Sequence, residues 1–304
     1  MIKNISFVLS LLFFTNVYSN QRALFVDGFN NILGSPSKEN KLLGFAKKNN
    51  FNTLILYELN KIDKRFPLTD TRKNSVLADF IAKAKLKYGI RKVGASGESA
   101  TFFIDIVQVY NNSRPKPEEK FDIYNLEFEY WSKKASSNKG YYCEGYLRDN
   151  NQPCNRQGSF NYFLESLKKL KKLAKESKHN ILIEAYVGYY TQKEISKISK
   201  YCDRLLIHTN GKSPKICFDS TLKNLEYLSK INSNIKVSIF FSARMNGMGY
   251  WLKFDSLDRG ESLFKNQKNK KNNTLNGING IDGFAYHTYS YLEKSISYNS
   301  YRKN

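Results

Sequence analysis

Eight short apolar segments, each followed by a stretch of helical periodicity, succeed one another along this chain, and that alternation leaves few folds open. The segments predicted as strands are Ala23 to Asp27, Thr53 to Tyr57, Lys92 to Ser96, Ile123 to Glu129, Ile181 to Val187, Arg204 to His208, Lys236 to Phe241 and Gly283 to His287. Between them the spacing predicts helices over 40–49, 74–88, 160–178, 192–201 and 220–231. In the third, Phe163, Leu164, Leu167, Leu170 and Leu173 recur on one face while lysines fill the other. Eight such units predict an α/β fold, the (β/α)8 TIM barrel, whose working end lies at the C-terminal ends of the strands. A doubly wound open sheet is the alternative, but Asp27-Gly28-Phe29-Asn30 after the first strand has one glycine and no phosphate loop.

Lys3 followed by the apolar run from Ile5 to Phe14, with Val17-Tyr18-Ser19 after it, reads as an export leader cut near Ser19. That leaves one domain, 20–304, of about 285 residues, close to the roughly 250 of a typical barrel. No later apolar run is long enough for a membrane helix, so a periplasmic or secreted protein is expected. In an oxidising compartment the four cysteines favour disulfides, with local pairing of Cys143 to Cys154 and Cys202 to Cys217 expected among three possible connectivities. The net charge of +22 comes from lysines spread throughout, without a nucleic-acid-binding motif, so it reads as solvated surface and no nucleic-acid partner is expected.

The most informative stretch is Phe121-Asp122-Ile123-Tyr124-Asn125-Leu126-Glu127-Phe128-Glu129-Tyr130-Trp131. Strand alternation sends Asn125, Glu127 and Glu129 to one face and Tyr124, Leu126, Phe128 and Tyr130 to the other. Two carboxylates on one face raise each other's pKa, which suits acid/base work on a glycosidic bond; the bland alternative is a structural ion-pair network.

This stretch resembles the Asp-x-x-Asp-x-Asp-x-Glu signature of glycoside hydrolase family 18, the chitinases and endo-β-N-acetylglucosaminidases. Asp122 stands at the first Asp, Asn125 at the second, Glu127 at the third and Glu129 at the catalytic Glu. Thr53-Leu54-Ile55-Leu56-Tyr57 is similar to the family's second strand, and Lys92-Val93-Gly94-Ala95-Ser96-Gly97 to its third. The resemblance implies that Glu129 protonates the glycosidic oxygen, that the substrate's own acetamide attacks the anomeric carbon, and that Glu127 orients it with Asn125 and Asp122 in support. The chain departs from the family in having Glu127 for Asp, Asn125 for Asp, Ile123 for Gly, and His208-Thr209-Asn210 where a Tyr-Asp pair is expected.

Aromatic and polar groups at the predicted strand ends, Tyr57, Trp131, Tyr186, His208, Asn210, and Tyr286 or His287, are the expected sugar-binding residues. The long segment 132–158 is expected to be a disulfide-stapled flap beside the site, and 254–280 a mobile loop with a short helix. The three histidines lack metal-site spacing, and no cofactor or metal is expected. The expected partner is therefore an oligosaccharide or polysaccharide containing N-acetylglucosamine, cut in endo fashion. A barrel that binds such glycans without cutting them stays open as the alternative.

Overall fold

The computed structural model describes residues 21–231, 234–278 and 280–303; the leader expected over 1–19 lies outside them. Eight parallel strands close into one barrel: β1 (Gln21–Val26), β2 (Thr53–Leu56), β3 (Lys92–Gly97), β4 (Ile123–Leu126), β5 (Leu182–Val187), β6 (Arg204–His208), β7 (Lys236–Ser242) and β8 (Gly283–His287). Each strand pairs with the next, and β8 returns to β1. The expected (β/α)8 barrel is the observed one.

Alternation along the strands builds two cores. Ala23, Phe25, Ile55, Ile123, Leu206, Phe240 and Ala285 fill the barrel interior, whereas Leu24, Leu54, Tyr124, Leu126, Leu205 and Phe241 pack outward beneath the helices. At the N-terminal end the interior is polar. The fully buried Glu184 accepts from Arg204 Nη1 at 2.7 Å and from Gln21 Nε2 at 3.2 Å, and Ser238 Oγ donates to Gln21 Oε1 at 3.0 Å. Partners on four strands tie that end together, while the other end opens as a polar mouth.

The longest outer helix, Arg156–Glu176, buries Phe160, Phe163, Leu167 and Leu170 on one face. It starts four residues before its expected position, because Asn155 caps it by accepting from Gly158 N at 2.9 Å. Position 158 requires glycine: a Cβ there would stand 1.9 Å from the Pro153 carbonyl oxygen.

Three expectations need correction. The Cys143–Cys154 disulfide is present and staples the flap, but Cys202 and Cys217 are buried free thiols. They lie at opposite ends of β6, whose five residues span roughly 16 Å, beyond the reach of a disulfide. The segment 254–280 carries a fourteen-residue helix, Leu257–Lys270. Its Glu261 accepts from Arg22 Nε at 2.8 Å and from Tyr286 Oη at 2.9 Å, which anchors the helix to β1 and β8. Finally, β4 ends at Leu126 rather than at Glu129. Its ladder reaches Glu127, whose N–H donates to Gly97 O at 2.9 Å, and Tyr130 N then turns back to Phe128 O at 2.8 Å.

Among the described residues no helix is long and apolar enough to cross a membrane. That fact and the disulfide are both compatible with an exported chain.

Candidate active site at the barrel mouth

Glu127 is the last inward-facing residue of the β4 line, and the strands on its β3 side supply its partners. Ser96 Oγ lies 3.1 Å from its carboxylate and 3.2 Å from Asn125 Oδ1, so one hydroxyl proton serves two acceptors. From β2, Tyr57 donates its hydroxyl to the same carboxylate oxygen. Burial pushes the Glu127 carboxyl up to about 7; the Tyr57 and Ser96 hydrogen bonds oppose the shift, and the charges of Glu129 and Glu98 add to it. Asn125 is wholly buried below, with Nδ2 unpartnered.

Removing the Tyr57 hydroxyl takes one donor from the charged form of Glu127. Tyr57→Phe is therefore expected to raise that carboxyl further, by about one unit. Titration of a 13C-labelled Glu127 checks this, and an unchanged or lowered midpoint would count against the tyrosine's role.

Glu129 follows beyond the strand, half-buried, with its N–H donating to Tyr142 Oη of the flap at 2.9 Å. Burial raises its carboxyl, and the Glu98 charge raises it further. The Tyr186 hydroxyl opposes that rise, and no lysine or arginine pairs with Glu129 among the described residues. No hydrogen bond joins it to Glu127.

Behind Tyr186 a chain of polar contacts runs through His208 to Asn210. His208 is kept neutral by burial, and its Nε2 lies 3.0 Å from Asn210 Oδ1, so Nε2 carries the proton and Nδ1 accepts. Tyr186 Oη lies 2.7 Å from Nδ1. The Tyr186 hydroxyl also faces Glu129, where its hydrogen bond favours the carboxylate and offsets part of the rise that burial and Glu98 cause.

Two cavities, each of about 320 Å³, meet at Glu127. One is walled by Tyr57, Glu58, Glu98, Phe102 and Tyr146; the other by Glu129, Tyr186, His208, Asn210, Arg244 and His287. Phe240 lies beneath the second, with ring centroids 4.8 Å from Tyr186, 5.0 Å from Phe25 and 5.3 Å from His287. Trp131 packs 5.4 Å from Tyr186, over Gly188, where a Cβ would strike the indole at 2.4 Å. The groove is thus polar along its walls and aromatic along its floor, which suits a flat polyhydroxylated ring.

The expected site residues Glu127, Glu129, Tyr57, Tyr186, His208, Asn210 and His287 therefore converge at the mouth, with Trp131 against Tyr186 and Asn125 one layer below. Two others do not join them. Asp122 precedes β4 at the opposite end of the barrel, where it accepts from Val93 N at 2.8 Å and meets Lys85 at 2.7 Å and His179 at 3.2 Å. Tyr286 faces outward and is fully buried against Glu261, because alternation on β8 gives the inward place to His287. Glu98, Tyr142, Tyr146 and Arg244 belong to the site and were not anticipated. Glu98 and Arg244 each lie two residues past an inward-facing serine, Ser96 and Ser242, so continuing the alternation could have found them. No group of three or more His, Cys, Asp or Glu side chains is placed to hold a metal among the described residues.

Known structures share this architecture. A family 18 chitinase from Crocus vernus superposes with a TM-score of 0.50 at 13% identity, over 93% of this chain and 98% of that one. Oxaloacetate acetylhydrolase in complex with the product oxalate gives 0.47 at 9% identity, over 93% of this chain and 78% of that one. A 2,3-dimethylmalate lyase, described as a PEP mutase/isocitrate lyase superfamily member, gives 0.47 at 8% identity, over 95% of this chain and 82% of that one. At such identities the likeness is one of fold, a TIM barrel of the kind that enzymes of several chemistries use. No family model and no curated protein matches the sequence.

Proposed function

We propose that this chain is an endo-acting, retaining glycosidase for β-1,4-linked N-acetylglucosamine glycans, working by substrate assistance. The observation that carries the reading is Glu129: a carboxyl lining the groove, raised by burial and by the Glu98 charge, and paired with no cation among the described residues. A structural ion-pair network would have placed lysine or arginine there.

In the proposed reaction Glu129 gives its proton to the glycosidic oxygen as the bond to the anomeric carbon breaks, and the substrate's acetamide oxygen closes on that carbon. Glu127, held by Tyr57 and Ser96, accepts the acetamide N–H and faces the positive charge of the oxazolinium ring. Glu129, now ionised, takes a proton from water, which opens the ring at the same face. The configuration is retained without an enzyme nucleophile. The extra methylene of Glu127, relative to the Asp of the family it resembles, is taken up by tethering its carboxylate to two neighbouring strands. The disulfide-closed flap supports an exported setting.

The test is product analysis by proton NMR with chitotetraose and a chitobiose-core glycan. The β-anomer should appear first. An α-anomer would exclude substrate assistance, and no turnover across the panel would leave a glycan-binding barrel.

A further inference from the structure

The two halves of the groove differ in charge. On the Tyr57 side the ionisable lining is acidic: Glu58 is paired to Lys61 at 2.5 Å, while Glu98 accepts from Tyr141 and Tyr146, each at 2.7 Å, and meets no cation among the described residues. On the Tyr186 side Arg244 is exposed, lines the cavity and forms no ion pair with the described residues. Its guanidinium carbon stands 5.2 Å over the Tyr291 ring, an arrangement that steers the cation without neutralising it. The other basic groups of that half, His208 and His287, are both disfavoured as cations. Burial lowers both, and Arg244 also helps push His287 down to about 4, so its charge reaches into the cavity. Arg244 is thus the one fixed positive charge lining this half, with Ser242 and Asn246 beside it as neutral hydrogen-bonding groups; its acids are the raised carboxyls Glu129 and Glu127, the latter shared with the other half.

We propose that the sugar bound in the His208–His287 half carries an anionic substituent, a carboxylate or a sulfate, and that Arg244 receives it. This rests on the glycosidase reading for its substrate class, though not for the charge argument itself. A neutral sugar needs only neutral donors, which Ser242, Asn210 and Asn246 provide. An unpaired guanidinium at the wall favours a group that can accept two parallel N–H bonds. The unpaired Glu98 on the other side would repel the same substituent, so the charges also fix the direction in which the chain lies.

The experiment compares two oligosaccharides of the same length, chitotetraose and an analogue bearing a lactyl carboxylate or an O-sulfate on alternate residues. Cleavage is measured with the wild-type chain, Arg244→Gln and Arg244→Lys, and binding is measured by calorimetry in a Glu129→Gln background. Wild type is expected to favour the anionic analogue by about tenfold, the worth of one charge-assisted hydrogen bond in an open groove. Arg244→Gln should bring the ratio of kcat/KM on the two substrates close to one, losing more on the anionic analogue than on chitotetraose, Arg244→Lys should keep part of the preference, and high salt should shrink it. Equal use of both substrates by wild type, or equal losses on both in Arg244→Gln, overturns the proposal and leaves the glycosidase reading standing. Arg244-dependent binding of the anionic analogue with neither substrate cut supports the anion site and removes the hydrolase. Neither binding nor cleavage removes both.

Discussion

Glu129→Gln is expected to lower turnover of chitotetraose by about a thousandfold, within the range that a positioned general acid contributes, and to leave KM within a few-fold. The amide keeps the size of the carboxyl and an oxygen that can accept from Tyr186, so the site should not collapse. What it cannot do is give up a proton to the glycosidic oxygen. The loss should therefore depend on the leaving group. An aryl glycoside whose phenol is a good leaving group needs little protonation, so on that substrate the variant should recover most of the wild-type rate. Equal losses on the two substrates would make Glu129 a positioning group and place the acid elsewhere. Wild-type rates on both would remove it from the chemistry.

The barrel was legible because its signal is repeated. β6 and β8 were read residue for residue, since each is an apolar run closed by an inward histidine at the mouth. β4 was read three residues too long for a definite reason: Glu127-Phe128-Glu129-Tyr130 keeps the period of two after the ladder has ended. Polar alternation reports which way side chains face, and cannot report where the neighbouring strand stops. β3 stops at Gly97, and the chain after Glu127 has nothing left to pair with. The misplaced Cys202–Cys217 bridge was avoidable, because the predicted β6 itself lies between the two cysteines. Asp122 was assigned through a motif when its position ahead of the strand already put it at the far end of the barrel. Arg244 and Glu98 belong to no motif but continue the alternation of their strands, whereas tertiary folding alone brings the flap tyrosines to the mouth.

The disagreement between Glu127's chemistry and its surroundings leads to an effect of comparable size on stability. Its carboxyl is raised from an ordinary 4.5 to about 7, chiefly by burial. Between those values the folded chain holds a proton that the unfolded chain has released, so stability falls as pH rises through the window and stays lower above it. At 1.36 kcal/mol per unit the full shift corresponds to about 3 kcal/mol. Glu127→Gln removes the charge while keeping an oxygen to accept from Tyr57. The variant should match wild type in stability below pH 4.5, gain on it from there to pH 7, and melt at a higher temperature at pH 8. The same variant should lose at least about a hundredfold in kcat, because a neutral amide cannot balance the oxazolinium charge. Melting curves across pH, read beside turnover, separate the two roles. A variant less stable than wild type at pH 8 would mean that the ionised carboxylate is well accommodated by Tyr57 and Ser96. A stabilised variant that still turns over at the wild-type rate would mean that Glu127 is a buried acid with no part in the reaction. Stability gained together with activity lost is the signature of a carboxylate held at the mouth, against its own solvation preference, for the charge that develops there.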